Sequence, residues 1–216
     1  MVSLLQGWGY CVSHKVIDTR KQGIPQSRPR FYLVGIHREK AGESATWFKF
    51  PGDIEPPEPI EDFLDVEDPA GKPRSVLEGK PLAVCKAGLE MLVKKGKAKD
   101  PTRETCVVDV FSTPAWSTSM RAVSPCLTAT RCKAGGHYVS TRRGLMTRAE
   151  MCRLQGIPPG RFKPEQCGVP EKKFLHAVGN AMSANVLVRL LPHVLHSANL
   201  TEVKEPPLVH FAVALK

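Results

Sequence analysis

Three stretches of the chain carry residue types at spacings that could do chemistry. The first is Gly23-Ile24-Pro25-Gln26-Ser27-Arg28-Pro29-Arg30, directly ahead of the apolar run 31–36. Gln26, Arg28 and Arg30 share one parity, and at a strand edge that spacing turns side chains to one face. A carboxamide and two guanidiniums converging there make a rigid donor cluster. It suits a phosphate, or a carbonyl oxygen that gains negative charge during a reaction. Two arginines can also serve as structural ion pairs with acids elsewhere, which is the plainer reading. The second stretch runs from Arg148 to Phe162, an Arg-rich helix with a hard stop at Gly156 and Pro158, and reads mainly as scaffold. The third is Gly179-Asn180-Ala181-Met182-Ser183. Read as the opening of an apolar helix, it offers unpaired amides and the positive end of the helix dipole to a polar ligand group. Asn and Ser are also ordinary caps.

The elements that position these residues follow from the pattern. Leu4, Leu5, Trp8 and Tyr10 read as the last turn of a helix, and 11–17 as a short strand. Phe31, Tyr32, Leu33, Val34, Gly35 and Ile36 form a continuous apolar run of strand length, as in a strand covered on both faces of an α/β sheet. Residues 51–73 hold six prolines and read as an extended surface connection, with one helical turn near 61–64. Residues 81–95 have helical spacing and stop at Lys94-Lys95-Gly96, 106–111 read as a strand, and 113–144 as loops and short strands. Thr147-Arg148-Ala149-Glu150 is a capping box opening a helix to about Gln155. A last helix begins near 180–183, with Val186, Leu187, Leu190, Leu191 and Val194 on its apolar face; Pro192 is expected to kink or end it. The final dozen residues read as a tail.

Composition narrows the function class. The chain has 216 residues, enough for one large domain or two small lobes without disulfide staples. It shows no apolar run of membrane-spanning length and no secretory leader pattern, so no membrane partner is expected. Seven cysteines with no Cys-x-x-Cys pair suggest reduced thiols. Lys and Arg number 31 against 21 Asp and Glu. Eight of those acids stand between Asp53 and Asp68 with no basic residue among them, so the rest of the chain carries a surplus of 18 positive charges. A basic body with one acidic, Pro-rich stretch fits a polyanion-binding surface. From charge alone, Arg131, Lys133, Arg142 and Arg143 are expected to contact DNA phosphates. His193 and His196 are three apart on a helix with no nearby acid or Cys to complete a metal site, so no metal is expected.

In their order, the three stretches make the chain resemble the C-terminal half of the DNA cytosine-5 methyltransferases. The resemblance covers about residues 5–196. It rests on Gln26-x-Arg28-x-Arg30 before a strand, a recognition region at about 37–127, the segment from Arg143 through Arg153-Leu154-Gln155-Gly156-Ile157-Pro158, and Gly179-Asn180-Ala181. It implies an α/β fold: the C-terminal part of a Rossmann-like methyltransferase sheet that uses S-adenosylmethionine, with a small irregular target-recognition lobe. The implied division is 1–38 as the end of the catalytic domain, 39–142 as the recognition lobe with the insert 51–73, 143–197 as the two closing helices, and 198–216 as a tail. It further implies that Arg30 contacts a flipped cytosine near O2, that Arg28 holds the pocket or a phosphate, and that Gln26 braces the loop. Gly179, Asn180 and Ala181 would line the S-adenosylmethionine pocket.

The family's reaction also needs a Pro-Cys nucleophile, a Glu-Asn-Val motif and a Gly-rich cofactor loop, which ordinarily precede the Gln-x-Arg-x-Arg motif. None lies within residues 1–25. Pro125-Cys126 is a decoy, since it stands where the family often has a Pro/Cys-Leu-Thr stretch. The expectation is therefore a C-terminal portion of a DNA methyltransferase that is inactive alone. The alternatives are a non-catalytic DNA-binding subunit of a two-chain enzyme, whose other half is a separate chain, and a tRNA-directed relative. The latter's Cys-Phe-Thr tripeptide is absent from the sequence. A nuclear location is expected in a eukaryote and a cytoplasmic one otherwise.

Overall fold

A computed structural model describes residues 1–65, 76–113, 117–202 and 211. Glu67, Asp68, Pro69 and Pro73 of the acidic stretch, and Pro206 and Pro207 of the tail, lie outside the described residues. The fold is mixed α/β, with two antiparallel sheets and seven α-helices among those residues.

After a short helix α1 (Val2–Gly7), strands β1 (Tyr10–Asp18) and β2 (Pro29–His37) form a hairpin in register from Tyr10↔His37 to Asp18↔Pro29. One face carries Ile17, Tyr32, Val34 and Ile36, which pack with Ala41 of α2 (Arg38–Ala41) and with Val186 and Leu190 of the last helix. The opposite face is open, with Val16 61% and Phe31 59% exposed. The apolar run predicts a strand covered on both faces; among the described residues only one face is covered.

Helix α3 (Gly79–Lys94) packs on a second sheet of β3 (Cys106–Val108), β4 (Ser119–Arg121), β5 (Tyr138–Val139) and β6 (Gly144–Leu145), ordered β4-β3-β5-β6. The approach is close at Gly88, where a Cβ would meet Val108 Cγ1 at 3.0 Å. Helices α4 (Ala129–Lys133), α5 (Arg148–Leu154), α6 (Glu171–Asn180) and α7 (Ala184–Ser197) complete the body. The box on α5 closes both ways: Glu150 N–H donates to Thr147 Oγ1 at 3.2 Å, and Thr147 N–H to Glu150 Oε2 at 2.9 Å. Helices α4 and α6 are not apparent in the sequence pattern. α7 runs through Pro192 to Ser197, because Val186, Leu190 and Val194 pack into one core on both sides of the proline.

The acidic, Pro-rich stretch differs most from expectation. Its described part is a strap rather than a surface connection. The 3₁₀ turn Ile60–Phe63 inserts Ile60 and Phe63 into the main core, beside Leu127, Met151, Leu154 and Phe211. One of the acids then answers a buried cation. Asp65 pairs with Arg153 and accepts from Thr147 Oγ1 at 2.7 Å, while Arg153 Nε donates to the Phe63 carbonyl at 2.8 Å. Alternating acids with apolar residues disguised the strap, since composition reads the charges and misses the two side chains that anchor it.

Phe63 is fully buried, so Phe63→Ala should cost about 3–5 kcal/mol of unfolding free energy. The exposed neighbour change Glu61→Gln should stay within about 0.5 kcal/mol. Urea denaturation of the two variants beside the parent checks both.

Candidate functional site

The loop between β1 and β2 is folded back into the body rather than left open. Asp18 Oδ1 accepts from the Arg28 backbone N–H at 2.8 Å, and Thr19 N–H donates to the Arg28 carbonyl at 3.3 Å, closing the hairpin. Pro25 and Ser27 exchange hydrogen bonds with Ser124, so the segment 124–128 runs beside the loop. Gln26 is fully buried: Nε2 donates to the Leu154 carbonyl at 2.6 Å, and Oε1 accepts from Leu127 N–H at 3.0 Å. Its carboxamide thus bridges the 124–128 segment and α5.

Arg28 is also buried, and its guanidinium meets carbonyls rather than acids. Nη1 donates to Leu127 O at 2.7 Å, and Nη2 to Ala181 O at 2.7 Å and Gly179 O at 3.2 Å. Nη1 also lies 3.5 Å from Cys126 Sγ. Burial lowers the Arg28 pKa from its ordinary value, yet a guanidinium remains charged throughout the accessible range. Arg30, two residues on, is exposed. Its Nη2 lies 3.3 Å from the same Cys126 sulfur, and Nη1 donates to the Pro29 carbonyl at 2.8 Å. The two arginines therefore meet at Cys126, one from inside and one from the surface, while Gln26 points elsewhere. Among the described residues, neither guanidinium forms the ion pair that the plainer reading predicts.

Cys126 lines a polar cleft of about 310 Å³ with Ser27, Asp109, Thr118, Thr128 and Arg131. Asp109 Oδ2 accepts from Arg131 Nε at 2.7 Å. Beneath them lies His137, wholly buried, with Nε2 3.3 Å from the Cys126 carbonyl and Nδ1 3.9 Å from Asp109 Oδ1. Burial pushes the imidazole pKa down to about 4, with Asp109 opposing only part of the shift, so His137 is neutral at pH 7. Asp109 and His137 have no signal in the sequence, because 28 residues and a sheet separate two groups that only the fold brings together.

Gly179-Asn180-Ala181 lies at the C-terminal end of α6 and in the break before α7, not at a helix start as the pattern suggested. The glycine is needed for packing: a Cβ there would sit 2.3 Å from the Thr128 carbonyl oxygen. Gly179 and Ala181 carbonyls hold Arg28, and Ser183 accepts from Thr19 Oγ1 at 2.7 Å. The exposed Asn180 carboxamide is the group of this triplet that can face a ligand. Its donor and acceptor pair suits one polar edge of a ligand.

The basic residues divide. Lys133 and Arg143 are exposed, and Arg131 is half-buried against Asp109. Arg142 is buried, and its fork closes on Glu150, with Nη2 to Oε2 at 2.8 Å. That corrects its expected place at a DNA-facing surface, because the inward-facing carboxylate of the capping box draws it into the core. Among the described residues, no three His, Cys, Asp or Glu side chains cluster to hold a metal. No single described helix is long and apolar enough to cross a membrane.

With this geometry in hand, the chain matches the family of C-5 cytosine-specific DNA methylases over residues 1–196. It is 26% identical over 200 residues to the Type II methyltransferase M.HaeII of Haemophilus aegyptius, an alignment covering 91% of this chain and 54% of that protein. The solved structure of the Entamoeba histolytica methyltransferase EhMeth is similar with a TM-score of 0.54 at 16% identity, over 93% of this chain and 57% of that one. The chain therefore spans about half the length of the relatives it matches, and the structural likeness speaks for the fold alone.

Two outcomes follow from the buried groups. A lysine cannot span three carbonyls with one ammonium, so Arg28→Lys should lower the unfolding free energy by about 3 kcal/mol in urea titrations. His137 titrates near 6.5 when unfolded and near 4 when folded. Between those values the unfolded chain binds the extra proton, so stability falls as pH drops from about 6.5 to about 4. Between pH 7 and pH 4, the parent should lose on the order of 3 kcal/mol more than His137→Gln.

Proposed function

The chain belongs to the C-5 cytosine-specific DNA methylase family, and from that premise we propose that it supplies the target-base and DNA-binding part of a cytosine-5 methyltransferase. One observation carries the reading. Arg30 presents an exposed guanidinium in contact with the Pro29 carbonyl and with Cys126, which itself lines a polar cleft. A guanidinium placed so can donate to O2 of an extruded cytosine and stabilise the charge that builds there when C6 is attacked. Arg28 and Gln26 are positioning residues in this scheme. They hold the strand that carries Arg30 against the 124–128 segment, and no part of either touches the base. Asn180 would hold a polar edge of S-adenosylmethionine, which when bound supplies an electrophilic methyl group on a sulfonium. Lys133 and Arg143, with Arg131 at the cleft wall, would meet DNA phosphates, and 39–142 would form the recognition lobe.

The thiolate that adds to C6 and the carboxylate that supports N3 come from outside the three motifs. Cys126 does not serve as the nucleophile in this reading; its sulfur accepts from two arginines, and no Glu-Asn-Val segment accompanies it. The chain by itself would bind duplex DNA and leave cytosine unmethylated.

Duplex binding by the purified chain, followed from about 50 to about 200 mM salt, tests this. The affinity should fall steeply, and Lys133→Ala and Arg143→Ala should each reduce the log–log slope by about 0.9. Arg30→Ala should abolish the gain in affinity for a duplex whose target cytosine is mismatched over one that is fully paired. Binding that is absent at low salt, or methyl transfer by the chain alone, would refute the proposal.

A further inference from the structure

A second cleft, of about 530 Å³, stands between the segment that follows α2 and the last turns of α7. It is lined by Thr46, Trp47, Lys49, Phe50, His193 and His196. None of these residues lines the cleft around Cys126, and none belongs to the three motifs. The run Trp47-Phe48-Lys49-Phe50 divides in two. Phe48 and Phe50 pack against the hairpin core and touch edge to face, their ring centroids 4.9 Å apart. Trp47 and Lys49, which alternate with them, are exposed, Trp47 by 59%. The two walls are pinned to each other. Ser44 Oγ lies 2.6 Å from the Ala41 carbonyl oxygen and 3.0 Å from that of Ser197, and Trp47 N–H donates to the Ser44 carbonyl at 2.9 Å. The indole is thereby held with its centroid 6.4 Å from that of the His196 ring.

The lining has a definite chemistry. His196 Nδ1 lies 3.3 Å from the Thr201 carbonyl oxygen. A carbonyl only accepts, so Nδ1 carries the proton, and Nε2 of the neutral ring is left as an acceptor. Among the described residues, Lys49 forms no ion pair and no carboxylate lines the cleft. An aromatic face, an ammonium without a counter-ion and an imidazole acceptor call for a flat ring that carries an anionic group and has N–H donors on its edge. A nucleotide meets all three demands, and the cleft falls within the roughly 300–1,000 Å³ of small-molecule sites. We propose that this cleft binds a nucleotide, with the base stacked on Trp47, its N–H edge donating to His196 Nε2 and its phosphate on Lys49. The site is separate from the Arg30 cleft and does not rest on the methylase reading.

Calorimetric titration of the full chain with guanosine monophosphate tests this, since guanine offers N–H donors along one edge. The nucleotide should bind one to one. Trp47→Ala should weaken it about tenfold, the scale of one base–aromatic stack. Lys49→Gln should weaken it about fivefold, the scale of one charge-assisted hydrogen bond at a surface, and leave the binding of guanosine unchanged. Both positions are exposed, so both variants should unfold at the parent's urea midpoint, which separates lost binding from lost folding. Competition with a short unpaired DNA strand names the source of the ligand. Displacement of the nucleotide assigns the cleft to a nucleotide within a strand, and its retention assigns the cleft to a free one; either result upholds the site. Three results would overturn the proposal: no binding of guanosine monophosphate up to millimolar concentration, binding that either variant leaves unchanged, or inorganic phosphate bound as tightly as the nucleotide.

Discussion

Burying a guanidinium away from carboxylates is costly, and much of this molecule is arranged so that Arg28 can be buried. Three carbonyls, those of Leu127, Gly179 and Ala181, receive its Nη atoms. They belong to two segments that are more than 50 residues apart and that both lie more than 90 residues from Arg28. Hydrogen bonds to a charged donor contribute about 1.5–3 kcal/mol each, and an unmatched charge at this depth would cost more than they return. The hairpin, the 124–128 segment and the α6–α7 break must therefore come together, or Arg28 loses its partners. Gly179 allows that approach, since any side chain there would collide with the Thr128 carbonyl.

Around that joint, polar groups divide between holding and presenting. Gln26, Arg142, Arg153 and Glu150 lie inside and bond to backbone or to one another. Arg30, Lys133, Arg143 and Asn180 lie outside. The inward group gives the outward group its geometry. Arg30 stands at the start of a strand whose preceding loop is bonded on both sides, so its guanidinium begins from a rigid base. The acidic strap contributes in the same manner. Asp65 answers Arg153, and the two apolar anchors beside it close the core from below.

Parts of this were legible in the residues. The apolar strand after Arg28, the Thr147–Glu150 box and the basic surplus are local or additive properties that follow from the residues directly, whereas the shared parity of Gln26, Arg28 and Arg30 did not bring them to one face, because Gln26 and Arg28 precede β2 and turn inward while Arg30 is exposed. The places where reading failed share one cause. The strap hides two core side chains among charges, α6 ends on the very Gly179-Asn180 pair that looked like a helix start, and Arg142 looks like Arg143 until the carboxylate facing it is known. Asp109 and His137 carry no spacing that could announce them, because they stand in separate loops, one just after β3 and one just before β5, that the sheet brings together.

The chain's own residues thus determined the hairpin strands, helices α3 and α5, the capping box, the order of the three motifs and the sign of the surface charge, since each depends on neighbours within a few positions or on a sum. Tertiary structure decided which arginine is buried and which is offered, which carbonyls hold Arg28, and that a neutral His137 lies under Cys126. Those choices depend on desolvation and on partners brought from distant positions, and identical side chains two residues apart differ only in what the fold places against them.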